Sequence, residues 1–159
     1  MRTKIINATM DIIVKSGFKK LTVDDIAKKL GISKKTIYKH FSNKEEIISE
    51  VVNTNLTIDK ENTLKAIESE STWIGKFRAA VLFHHMNRIP VNLIQEIKYL
   101  FPNEWANINN LREFKTNLIH ELIDEGIKEN YIKQDVSTDI IILILSNTLP
   151  AIFDYDILS

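Results

Sequence analysis

An all-α fold is predicted for this chain, with a short N-terminal bundle of three helices followed by a longer helical body. Three observations predict it. Apolar residues recur at helical spacing and nowhere sustain the alternation of a strand. Turn residues are scarce, with only four Gly and three Pro in 159 residues. Helix start and stop residues follow one another in order through the first fifty positions.

The first helix is predicted from about Thr3 to Lys15, burying Ile5, Ala8, Ile12 and Ile13 and stopping at Gly17. A second runs from about Val23 to Leu30, with Thr22 as its N-cap and Asp24 and Asp25 near its positive end. Gly31 follows it, free to adopt a positive φ. Ser33 then caps a short third helix reaching about His40, and either Ser42 or Asn43 opens a long fourth one with Glu45 and Glu46 in its first turn. Beyond residue 56 the boundaries are less marked. Pro90 and Pro102 each end or start a helix. Leu111, Phe114, Leu118, Leu122 and Ile123 form an apolar stripe, which predicts an amphipathic helix over 105–129. The last segment, about 137–154, is apolar on nearly every side and must be covered all round, by its own domain and by a second subunit.

Net charge is zero, yet it is unevenly divided. Residues 1–50 hold 11 Lys/Arg against 6 Asp/Glu, and residues 51–159 hold 10 against 15. A basic block joined to an acidic one implies that only the first part meets a polyanion. The absence of cysteine excludes disulfides, iron–sulfur clusters and thiolate zinc sites. Asn7 and Asp11 interrupt any apolar signal region, and the run from Ile140 is too short and polar to span a membrane, so a cytoplasmic location is expected.

The most informative block is Gly17-Phe18, Leu21 to Ala27, Leu30-Gly31-Ile32-Ser33, Thr36 to Phe41 and Lys44-Glu45-Glu46. Ile26, Ala27, Leu30, Ile32, Ile37 and Phe41 can form a small core holding two helices at a steep angle, with Gly31 permitting the tight turn. The third helix then exposes Lys34, Lys35, Thr36, Tyr38, Lys39 and His40, the polar and cationic set that a recognition helix carries into a major groove. Over residues 3–50 this helix-turn-helix resembles the DNA-binding domain of the TetR family of regulators. The resemblance implies that Thr36 and Lys34 lie toward base edges, while Tyr38, His40, Lys44 and Thr22 meet the phosphate backbone. Lys35 and Lys39 are left open: one reaches a phosphate, or both are solvated. Tyr38 also has a packing role available over the core edge, and His40 that of a surface histidine.

The remaining chemistry is thin. His84 and His85 point about 100° apart on a helix and cannot share a metal on one face. His120 and Asp124 stand at i and i+4, where an ordinary side-chain pair is the default. No Ser-His-Asp arrangement, phosphate-cradling glycine loop or dinucleotide fingerprint is present, so no enzyme and no cofactor are expected. Trp73, Phe77, Phe83, Met86, Tyr99, Phe101, Trp105 and Phe114 crowd the middle of the chain, either as core or as the lining of an effector pocket. Arg78, His84, His85 and Arg88 are available to set the polarity of such a pocket.

The resemblance implies a DNA-binding domain at 1–48 and a helical effector-sensing and dimerisation domain at 49–159. It further implies a homodimeric, ligand-responsive repressor, paired through helices 105–129 and 137–154 as a four-helix bundle and reading double-stranded DNA at a palindromic operator. An unidentified small-molecule effector would act by its differential affinity for two arrangements. Family members commonly carry a further C-terminal helix, so either the dimer face is shortened or the chain continues beyond Ser159. The competing expectation, a TetR-like protein that activates an enzyme as a protein partner without binding DNA, is opposed by the cationic third helix.

Overall fold

The computed structural model describes residues 1–86 and 91–145, with the backbone alone described at Phe83–Met86 and at Val91 and Asn92. Among the described residues there is no strand. Seven helices are bounded, α1 (Arg2–Ser16), α2 (Val23–Leu30), α3 (Lys34–Tyr38), α4 (Lys44–Glu68), α5 (Trp73–Met86), α6 (Val91–Leu100) and α7 (Pro102–Lys128), and an eighth, α8, starts at 138 and is followed to 145.

Local chemistry explains the ends. Gly17, at φ 81°, stops α1 and donates its N–H to the Ile13 carbonyl at 2.8 Å. Thr22 opens α2 through a capping box, its hydroxyl accepting from the Asp25 amide while the Asp25 carboxylate accepts from the Thr22 amide. Gly31 ends α2 in the left-handed region at φ 63°, with Gly31 N–H on Lys28 O and Ile32 N–H on Ala27 O, the paired bonds of a Schellman turn. Ser33 caps α3 by accepting from the Thr36 amide at 3.1 Å. Of the two candidate caps for α4, Asn43 takes the role, accepting from the Glu46 amide at 2.7 Å. Pro102 is the first residue of α7, where its missing N–H costs nothing.

The third helix is shorter than its sequence suggests, ending at Tyr38 and not His40. The His40 amide closes on Ile37 O at 2.9 Å, a tighter turn that swings Phe41 back into the core at 2% exposure.

The residues divide into two compact units. The first holds α1–α3, α4 as far as Ile58, α6, and α7 as far as Ile108. Its core joins Ile5, Ile13, Ile26, Ile37 and Phe41 to Ile47, Leu93 and Ile97. The second holds α4 from Asp59, α5, α7 from Asn109, and α8, around Ala80, Val81, Ile119, Leu122 and Ile123. There Trp73 stacks between Phe77 and Tyr131, at centroid distances of 5.3 and 5.1 Å. In the same unit Lys115 lies buried on the inner side of α7, with its ammonium 2.8 Å from both oxygens of Asp59.

Along α8, Ile141, Ile142 and Leu145 pack on this second core. Ile140, Leu143 and Ile144 are 57%, 63% and 54% exposed. The rest of the 137–154 segment lies outside the described residues, as do Arg88 and Pro90 and the side chains of His84 and His85. No helix among the described residues is long and apolar enough to cross a membrane.

Candidate nucleic-acid interface

The helix-turn-helix residues fall on three helix starts. Thr22 is exposed at the head of α2, with its side chain committed to the capping box. Lys44, in the first turn of α4, reaches across to donate from Nζ to the Leu21 carbonyl at 3.2 Å. The fold therefore brings Lys44 and Thr22 together at the entrance of α2, although they are distant in sequence. A helix N-terminus with a cation beside it attracts an anion.

On α3, Lys34 and Lys35 are exposed, Thr36 is half-buried and Tyr38 is 49% exposed. Thr36 Oγ1 lies 3.0 Å from Ser33 Oγ, so its hydroxyl is already engaged at the cap. Lys34 Nζ bonds Asp24 of α2, 3.0 Å from Oδ1 and 3.1 Å from Oδ2. That hydrogen bond, and then the charge of Asp24, holds Lys34 above the usual lysine value. Lys39 is exposed just past α3, and His40 is half-buried with its carbonyl accepting from Arg2.

Arg2 was not marked by the sequence. Its Nη1 donates to His40 O at 2.6 Å, its Nη2 lies 3.5 Å from Glu46 and 3.2 Å from Glu50, and its guanidinium sits 4.2 Å over the Phe41 ring. It thereby ties the start of α1 to the turn between α3 and α4. Glu96 of α6 was missed too. Its Oε2 accepts from the Phe18 and Lys19 amides at 2.7 and 3.1 Å, filling the turn that Gly17 opens. A Cβ at Gly17 would come within 2.7 Å of Glu96 Oε1, so that carboxylate needs glycine there. Neither residue belongs to a local pattern; their partners lie 38 and 77 or more positions away.

The aromatic set divides between the two units. Phe101 meets Phe18 at 5.6 Å in the first unit, where Trp105 also packs on the core with Lys98 near its ring. Tyr99 is 82% exposed. Trp73 and Phe77 stack in the second unit, where Phe114 lies under the Lys60 ammonium at 4.3 Å. The side chains of Phe83 and Met86 lie outside the described residues. A cavity of about 490 Å³ does open in the second unit, lined by Ile67, Leu118 and Leu122 and by Glu68, Glu121 and Glu125, none of them in the aromatic set. Arg78 is exposed and pairs with Glu70 at 3.4 Å. Among the described residues, no group of three or more His, Cys, Asp or Glu is placed to hold a metal.

Comparison with known proteins bears on the same region. The profile of bacterial regulatory proteins of the tetR family matches residues 5–51. The chain is 30% identical over 135 residues to the biofilm operon icaADBC negative transcriptional regulator IcaR of Staphylococcus epidermidis, covering 77% of this chain and 68% of that protein. Among solved structures, a TetR/AcrR-family transcriptional regulator of Thermobifida fusca superposes with a TM-score of 0.75 at 20% identity, covering 99% of this chain and 87% of that one. The transcriptional regulator FadR of Bacillus subtilis, solved with stearoyl-CoA, superposes with a TM-score of 0.67 at 21% identity over 95% of this chain and 84% of that one.

Proposed function

The chain belongs to the TetR family of bacterial regulatory proteins and is a DNA-binding transcriptional regulator, and from that premise we propose that it works as a ligand-responsive repressor. The reading gives residues 1–48 to DNA and residues 49–159 to effector sensing and to pairing with a second copy. The observation that carries it is the matched succession from the Thr22 capping box through the Gly31 turn to α3, with Lys34, Lys35 and Tyr38 on the outside.

In this reading Thr36 and Lys34 face base edges, and Thr22, Tyr38, His40 and Lys44 face phosphates, with Lys35 and Lys39 at the margin. Pairing of two copies through α7 and α8 covers Ile140, Leu143 and Ile144, and its symmetry calls for a palindromic operator. The likeness to a negative regulator supports repression, and the likeness to a regulator solved with stearoyl-CoA supports a small-molecule effector in the helical body. The role is regulatory and not enzymatic, needs no metal or cofactor, and is carried out in the cytoplasm.

Selection of duplexes from a random-sequence pool tests this directly, repeated with and without long-chain acyl-CoA. A recovered palindrome supports the reading, as does its release by the acyl-CoA. A chain that enriches no duplex overturns the DNA-binding assignment. Enrichment of a sequence without two-fold symmetry overturns the paired arrangement.

A further inference from the structure

The surface proposed to face DNA carries an acidic side chain beside one of its base-facing cations. Asp24 stands in the first turn of α2 and is 71% exposed by side chain, with Lys34 Nζ at 3.0 Å from its Oδ1. Asp25 already makes both bonds of the capping box, so the cap of α2 does not need Asp24. An exposed ion pair contributes little to stability. A carboxylate facing a polyanion also weakens association. Its placement calls for another account.

Lysine is a point charge on a flexible stem, and an unrestrained one takes whichever phosphate is nearest. Such a contact adds affinity for every sequence alike. Resting on the DNA-facing reading of α3, we propose that Asp24 is a specificity-determining residue, holding Lys34 across the step from α2 to α3 so that the pair reads a G·C base pair. The ammonium then meets the guanine O6 and N7 acceptors and the carboxylate accepts from cytosine N4, while the same carboxylate repels phosphate from this spot. The two charges act as one reader of complementary sign.

The test uses the full chain and the duplex it recovers from a random-sequence pool. That duplex competes with a scrambled one of equal length for the wild type, Asp24→Asn, Lys34→Ala and the double variant. Asp24→Asn is expected to bind the scrambled duplex more tightly, to lower the selected-to-scrambled ratio about fivefold or more, and to relax a G·C position on reselection. In the Lys34→Ala background the same change should lower that ratio by less, because the lysine is no longer there to be released and the cytosine contact alone is lost. If Asp24→Asn alone tightens both duplexes equally, or changes neither, the proposal is overturned. Failure of the underlying reading looks different: the wild type then enriches no duplex, or Lys34→Ala alters binding to neither. Both side chains are exposed, so the melting curves of these variants are expected to overlay that of the wild type.

Discussion

The Trp73 indole occupies the space that a side chain at Gly126 would take. A Cβ at Gly126 would stand 2.6 Å from Trp73 Cε2 and 3.0 Å from Nε1, while the indole N–H donates to the Leu122 carbonyl at 2.7 Å. In a free helix Gly→Ala gains about 1 kcal/mol. Here the added methyl forces the indole out of its stack, and overpacking of this kind costs about 1–3 kcal/mol. Gly126→Ala is therefore expected to lower the urea midpoint, and to cost less when Trp73→Ala is already present. A raised midpoint for Gly126→Ala alone would contradict the packing account.

Glu96 fastens α6 to the turn after α1. Replacing its carboxylate by an amide leaves the Phe18 and Lys19 amides with a weaker acceptor and brings N–H groups toward two donors. Glu96→Gln is expected to cost on the order of 1 kcal/mol, since the part-buried Phe18 amide and the exposed Lys19 amide both lose a charged partner. Hydrogen exchange at Phe18 and Lys19 should accelerate well before exchange in the second unit does. Unchanged protection at those two amides would refute the latch.

Glu46 gives the first unit an acid-sensitive bond. Hydrogen bonding from Ser42, chiefly its amide at 2.6 Å, holds the Glu46 carboxyl below its ordinary 4.5, with Arg2 adding to the effect. A lowered folded value means that the stabilisation is complete above the ordinary glutamate range and is lost as pH falls through the folded value. Wild type should exceed Glu46→Gln in stability at pH 7, and the gap should close on acidification below about 4.5. Asp11, lowered by Lys29, titrates in the same direction in both proteins and cancels from the difference. A gap that stays constant from pH 7 to 3 would count against the bond.

Much of the first fifty residues was legible because the deciding contacts are local. Thr22 with Asp25, Gly31 with Ala27, and Ser33 with Thr36 lie within four residues of each other, so residue type at a given spacing predicts the bond. Arg2 with His40 and Glu96 with Phe18 carry no such spacing, and nothing in the composition of α1 or α6 distinguishes them from solvated charges. On α7 the apolar stripe was readable, yet Lys115 shares its buried side because Asp59 waits on α4. The aromatic residues form one group in sequence, yet Phe101 and Trp105 join one core, Phe77 joins the other and Tyr99 faces outward, since proximity along the chain says nothing of which core each helix joins.

That Lys115–Asp59 pair makes a stability prediction of its own. Lys115 is 6% and Asp59 15% exposed by side chain, so both charges are largely removed from water. Breaking a buried pair from one side costs about 3–5 kcal/mol, whereas replacing both partners by apolar residues is often neutral. Lys115→Met should accordingly lower the unfolding midpoint strongly, and Asp59→Leu with Lys115→Met should recover most of the loss. Additive losses in the double variant would show that the two side chains act separately.

Lys44 offers the cleanest separation between affinity and sequence choice. Its ammonium rests 3.2 Å from the Leu21 carbonyl, beside the Thr22 cap and the positive end of α2, where a phosphate would sit between the cation and the helix amides. A lysine in that position releases counterions on binding and reads no base, so its removal should weaken selected and scrambled duplexes by the same factor. The slope of log affinity against log salt should fall by about one unit for Lys44→Ala. Thr36→Ala should do the reverse, leaving the slope alone and changing which duplex is preferred, with about 1–3 kcal/mol at stake if the hydroxyl reads a base. Because Thr36 Oγ1 is also 3.0 Å from Ser33 Oγ, Thr36→Ser should keep the cap while altering the methyl contact to a base. A Lys44→Ala chain that keeps its full salt slope would remove Lys44 from the phosphate contacts, and with it the placement of DNA across the starts of α2 and α4.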